Sequence, residues 1–165
     1  MPATLFRQAR PEDASAIGTL VRAAYQKWVP ILGREPRPML VDYDAVLRVH
    51  RFDLLEAEGK VIGLIETESR VDHFWLENIA VLPSAQGRGI GRDLLAHAES
   101  LARDAGHHQV RLLTNGKMAA NRQLYAAVGY TEDVEEPFMD GTVVYLSKTL
   151  KRLETSHHPA RPSLD

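Results

Sequence analysis

Residues 75–105 read WLENIAVLPSAQGRGIGRDLLAHAESLARDA, and this stretch decides the fold. Trp75 to Leu82 is apolar apart from Glu77 and Asn78, which predicts a buried strand, and Pro83 stops it from pairing further. Gln86 to Gly91 then places Gly87, Gly89 and Gly91 at alternate positions, where missing side chains let backbone N–H groups approach a ligand. A long amphipathic helix follows at once, with Leu94, Ala98, Leu101 and Ala105 predicted on one face. The start of a helix carries unpaired N–H groups and a partial positive charge, so this junction suits a phosphate or pyrophosphate. Arg88 and Arg92 add full positive charge beside it.

Two phosphate motifs do not fit. A Walker loop ends in Gly-Lys-Ser/Thr, whereas here Arg92-Asp93 follows the glycines. The dinucleotide fingerprint needs a glycine where Arg92 stands. The same residues would also make a plain strand-to-helix turn with no ligand.

The flanks supply further elements. Thr4 to Ala9 alternates as a first strand, and Pro11-Glu12-Asp13 is a helix start with proline early and acids near the positive end. Ile17, Leu20, Val21, Ala24, Tyr25 and Trp28 recur at helical spacing, and Pro30 to Pro38 is expected to break that helix into an irregular loop. Asp42 to Val49 can form a short second helix. Arg51–Ala57 and Lys60–Thr67 read as a hairpin across Glu58-Gly59. Beyond the organising helix, Gln109–Thr114 reads as a strand and Met118–Val128 as a helix ended by Gly129. Two closing strands follow, over Tyr130–Glu136 and Thr142–Ser147. This order predicts a mixed sheet with helices on both faces and a right-handed parallel strand–helix–strand unit around Gln86.

The 165 residues suit one domain, over 1–150, followed by a polar C-terminal tail, 151–165, expected to be mobile. The chain has no cysteine, which excludes disulfides, thiolate zinc sites and a cysteine-bound acyl intermediate. A net charge of −2 without a dense Lys/Arg run argues against nucleic acid. No apolar run is long enough to span a membrane, and the N-terminus does not read as a signal peptide. A soluble cytoplasmic protein is the expectation. No metal site is expected, His107 and His108 reading as exposed residues at a helix end.

Gln86-x-x-Gly89-x-Gly91, preceded by Ile79-Ala80-Val81-x-Pro83, resembles motif A of the GCN5-related N-acetyltransferase superfamily. Asn121-x-x-x-Tyr125-x-x-x-Gly129-Tyr130 resembles that family's second landmark, and the likeness spans Thr4 to about Leu150. The resemblance implies an α/β fold with a central, mostly antiparallel sheet of about six or seven strands. It further implies a splayed parallel central pair and about four helices. Acetyl-coenzyme A is the implied donor and a primary amine, on a small molecule or a peptide, the acceptor. Pairing through sheet edges into a homodimer is a further expectation.

The likeness implies the cofactor-binding residues and the role of Tyr125, while the base and the acceptor pocket are read from the residues themselves. The turn Gln86-Gly87-Arg88-Gly89-Ile90-Gly91-Arg92 would hold the pyrophosphate, and the backbone of Ile79, Ala80 and Val81 the pantetheine amides. Asn115 and Asn121 are candidates for the cofactor's arm, and Arg88, Arg92 and Arg122 for its phosphates, each equally suiting a solvated surface position. Tyr125, one turn after Asn121, would hydrogen-bond the departing sulfur, although it also suits packing on the sheet. Glu77, a lone carboxylate in an apolar strand, is the candidate base, or else a surface glutamate. Tyr25, Trp28, the Pro30–Asp42 loop with Asp42, Phe74 and Trp75 are candidates for the acceptor pocket, and Tyr25 and Trp28 equally suit the first helix's core face. Direct transfer in a ternary complex is the leading expectation. A non-catalytic acyl-coenzyme A sensor, and an enzyme with an oxygen acceptor or a longer acyl chain, remain open.

Overall fold

A computed structural model describes residues 3–152. The expected tail lies, from residue 153 onward, outside the described residues. A seven-stranded sheet runs in the order β1-β2-β3-β4-β5-β7-β6. Its strands are β1 (Thr4–Gln8), β2 (Arg51–Ala57), β3 (Lys60–Ser69), β4 (Phe74–Val81), β5 (Gln109–Asn115), β6 (Thr131–Phe138) and β7 (Gly141–Thr149). Every neighbouring pair is antiparallel except β4–β5. The β2–β3 turn places Glu58 and Gly59 at φ of 52° and 74°, the paired positive values that a two-residue hairpin turn requires.

The helices are α1 (Ala14–Tyr25), α2 (Val29–Leu32), α3 (Tyr43–Val46), α4 (Ile90–Asp104) and α5 (Ala119–Ala127). Alternation along the strands divides the core. Leu54 and Leu64 pack with Ile17, Val21 and Tyr43 from α1 and α3, while Leu55 and Ile65 pack with Leu94, Leu95 and Ala98 from α4. Tyr125 on α5 joins the α4 cluster.

Two local expectations are corrected. Pro30 does not break the first helical run, because proline in a helix's first turn loses no hydrogen bond. A 3₁₀ turn over Gln26–Trp28 leads into α2, with Pro30 in its first turn and Gly33 at φ 71° closing it. On α4 the buried stripe is Leu94, Leu95, Ala98 and Ala102; Leu101 is half-buried and Ala105 exposed. Among the described residues no helix is long and apolar enough to cross a membrane.

Candidate active site

The glycine turn begins where β4 runs out. Pro83–Ala85 forms a single 3₁₀ turn, and the Gln86 side-chain amide donates back to the Val81 carbonyl at 3.1 Å. Lys27 donates to the Gln86 side-chain oxygen Oε1 at 3.0 Å, tying the turn to the 3₁₀ turn that follows α1. Gly87 and Gly89 take φ of 78° and 79°, and a Cβ at either would meet no protein atom within 4 Å. Their missing side chains therefore leave open space above a left-handed backbone.

Gly91 has another reason to be glycine. A Cβ there would sit 3.0 Å from Leu124 Cδ2, so its absence lets α4 and α5 approach. The first helical bond is donated by Asp93 to the Gly89 carbonyl at 3.1 Å, leaving the N–H groups of Ile90, Gly91 and Arg92 without an acceptor inside the helix. Such a cradle fits a diphosphate. A groove of about 420 Å³ runs over it, walled by Ile79–Val81, Gln86, Gly87, Gly89–Arg92, Tyr25, Lys27, Trp28 and Asn121.

Beside the groove the sheet opens. β4 and β5 pair only at Phe74–Val110 and Trp75–Arg111, so from Leu76 onward the β5-facing edge of β4 lacks a strand partner. On its other edge β4 carries a bulge. Thr67 faces Leu76 and Glu66 faces Asn78, leaving Glu77 without an opposite residue.

A second cavity, of about 500 Å³, lies past this opening. It shares Tyr25, Ile79 and Asn121 with the groove and adds Tyr125, Trp75, Glu77, Asn78, Glu66 and His50. Tyr125 is only 4 % exposed and meets Tyr130 edge-on at 5.9 Å between ring centroids. Burial raises its hydroxyl pKa, which keeps the proton on. Glu77 is exposed and accepts a hydrogen bond from the Trp75 indole at 2.5 Å.

The Tyr25 hydroxyl donates to Asn78 Oδ1 at 2.6 Å, while Asn78 Nδ2 is buried without a partner among the described residues. Buried amide donors are rarely left so, and this one stands in the cavity wall.

Several residues named from sequence lie elsewhere. Trp28 is buried against Leu32 and Met118 and walls the groove rather than the second cavity. Asp42 caps α3, accepting from the N–H groups of Asp44 and Ala45, and lines neither cavity. Phe74 is core, although its neighbour Trp75 lines the second cavity. Arg88 does not line the groove. Asn115 lines the second cavity and accepts from the Lys117 N–H at 2.9 Å. Arg122 is held at 2.8 Å by both oxygens of Glu132, and donates to the Gly116 carbonyl.

Sequence reasoning passed over Glu66. Its side chain is buried in the second cavity's wall, with Oε2 2.6 Å from His50 Nδ1. Burial pushes this carboxyl above its ordinary value, and the His50 hydrogen bond only partly offsets that. The signal was weak, since Glu66 closes an apolar run, Val61 to Ile65, ahead of Thr67 and Glu68, whereas Glu77 interrupts its own. Tyr43 also lines this cavity and was not named, while Arg34 and Arg37 line it from within the loop expected to wall the acceptor pocket.

The chain resembles known proteins over nearly its whole length. It is 29% identical over 147 residues to the aminoalkylphosphonate N-acetyltransferase of Salmonella typhimurium, covering 80% of this chain and 88% of that one. Its fold matches the ribosomal-protein-S18-alanine N-acetyltransferase of Escherichia coli at a TM-score of 0.72 and 19% identity, covering 93% of this chain and 98% of that one. It also matches the PaiA N-acetyltransferase of Thermoplasma acidophilum, solved in complex with coenzyme A. There the TM-score is 0.68 at 16% identity, with 90% and 99% of the two chains covered. The model of the acetyltransferase (GNAT) domain matches residues 49–132, which hold the hairpin, the bulged strand, the glycine turn and Tyr125. On that match, with the splayed sheet around it, the chain belongs to the GNAT family of acetyltransferases.

Proposed function

We propose that the protein is an acetyl-coenzyme A-dependent N-acetyltransferase that transfers acetyl directly to a primary amine in a ternary complex. The observation that carries this is the meeting of two cavities at Tyr25, Ile79 and Asn121, one floored by the glycine turn and the other lined by carboxylates. Acetyl-coenzyme A supplies a thioester open to attack by an amine.

The protein's part is positioning and proton handling. The N–H groups of Ile90, Gly91 and Arg92 take the diphosphate, and the unpaired edge of β4 from Leu76 to Val81 takes the amides of the arm. The Tyr125 hydroxyl, kept protonated by burial, donates a hydrogen bond to the sulfur as it leaves. An alkylammonium, with a pKa near 10, must first lose a proton. Glu77 and the His50-bonded Glu66 are the carboxylates placed to receive it, directly or through water. With no cysteine in the chain, the acetyl group has no thiol on the protein to rest on.

A thiol-release assay with acetyl-coenzyme A and a mixture of primary amines tests the reading. Amine-dependent release supports it. Tight coenzyme A binding without release from any amine would favour a sensor instead.

A further inference from the structure

The second cavity has a charge pattern that a simple amine does not explain. Its carboxylates, Glu66 and Glu77, stand on β3 and β4. The segment after α2 contributes two guanidinium groups to the same lining, Arg34 and Arg37. Neither forms an ion pair within 4.0 Å among the described residues. Arg34 lies 6.0 Å over the Phe138 ring, and its Nε is buried without a hydrogen-bond partner among the described residues. Asp140, on the β6–β7 turn, is already taken by Lys117 at 3.1 Å. Glu66 bonds His50 through Oε2 alone and feels Arg37 only through space.

The segment is held firmly. Gly33 turns the chain at φ 71°, and Pro36 and Pro38 bracket Arg37. The Tyr43 hydroxyl donates to the Pro38 carbonyl at 2.6 Å. The two arginines are thus presented by a braced wall rather than by a free loop.

A buried guanidinium N–H without an acceptor costs free energy that a ligand can recover. The planar fork of arginine matches the two oxygens of a carboxylate, phosphonate or phosphate. An ammonium group alone would meet like charge here.

Taking this cavity as the acceptor site, as proposed above, we infer that the acceptor is a primary amine that also carries an anionic group, seated on Arg34 and Arg37 while its nitrogen faces Glu66 and Glu77. The site is built for a zwitterion.

Thiol release under saturating acetyl-coenzyme A is to be compared for 3-aminopropionate, 2-aminoethylphosphonate and propylamine, which lacks the anion. The same panel is to be run on Arg34→Gln and Arg37→Gln. At least one anionic amine is expected to exceed propylamine in kcat/KM by about tenfold or more, and either variant should collapse that ratio, chiefly through KM. The carboxylate and phosphonate arms show which anion is preferred. Propylamine equal to or better than both anionic amines, or a ratio unchanged in both variants, would overturn the inference while leaving acetyl transfer standing.

If no amine is turned over, calorimetry on the coenzyme A complex separates the two proposals. Binding of an anionic amine that is lost in Arg34→Gln supports the arginine subsite without the transfer reading. Absence of binding by both anionic amines overturns the subsite.

Discussion

His50 Nδ1 and Glu66 Oε2 are 2.6 Å apart, and Glu66 Oε2 belongs to a buried carboxyl facing the larger cavity. The His50 Nε2 lies 3.5 Å from Glu68, whose side chain is 38% exposed, so three titratable groups run from the cavity toward solvent. The sequence separation of 16 between His50 and Glu66 is spanned by the β2–β3 hairpin. If this chain carries the ammonium proton away, its state must show in the rate.

Burial raises the Glu66 carboxyl above the ordinary value of about 4.3, so its base form is lost as pH falls through a higher range. The acidic limb of the kcat/KM profile is expected in that raised range. Glu66→Gln should remove the limb and lower kcat/KM by about 10²–10⁴-fold. A limb left in place in that variant would assign it to another group, with Glu77→Gln the next to measure.

The same shift bears on stability. Below the ordinary value the carboxyl is protonated in both folded and unfolded chains and contributes nothing. As pH rises through the raised pKa, the folded protein must ionise a buried group that the unfolded chain ionises more readily, so stability falls. Urea melts on either side of that window should show the decline, and Glu66→Gln should flatten it.

Tyr125→Phe deletes one hydroxyl and keeps the ring that meets Tyr130. Turnover is expected to fall by about 10²–10⁴-fold if the hydroxyl serves the leaving sulfur, with the melting temperature little changed. Steady-state rates and a thermal melt suffice. An unchanged kcat would leave Tyr125 as a packing residue.

The glycine turn predicts a division between binding and packing. Gly89→Ala forces a side chain onto φ 79°, at about 1–2 kcal/mol, and fills space open to the ligand, so coenzyme A affinity should fall about tenfold or more. Gly91→Ala instead sets a Cβ 3.0 Å from Leu124 Cδ2, so its effect should fall on the melting temperature through the α4–α5 contact, where displacement of Leu124 opposes the helix propensity that alanine adds. Calorimetric titration and melting curves on both variants check the pair.

Leu94 is fully buried beneath β3, where the absent side chain of Gly63 leaves room for it. Leu94→Ala should cost about 2–5 kcal/mol of folding stability, measured by denaturant titration. The cost belongs to the core, so coenzyme A affinity of the folded fraction should hold.

What could be read from the sequence was set by local rules. Glu58-Gly59 announced its hairpin, and the glycines after Pro83 announced the turn, because positive φ and helix starts have strong residue preferences. The splayed parallel pair came through the family resemblance, while the strand-by-strand order, with β7 between β5 and β6, was not read at all. What escaped depended on distant contacts. Asp42 looks like a pocket acid in sequence, but its carboxylate is spent on capping α3. Glu66 looked like one more strand residue until β2 brought His50 beside it. Arg34 and Arg37 sit in a stretch read as an irregular loop beside the acceptor pocket, but its prolines fit short helical turns, and the part of the two arginines in the cavity lining was not read.

Acetyl transfer as proposed depends on main-chain amides at the start of α4 gripping a diphosphate. A ¹⁵N-labelled sample titrated with coenzyme A reports on them residue by residue. The largest amide shifts should fall on Gly87 through Arg92, with smaller ones along Leu76–Val81 on the open edge of β4. Saturating coenzyme A that leaves the Gly87–Arg92 amides unmoved, or shifts only residues outside the groove, would contradict it.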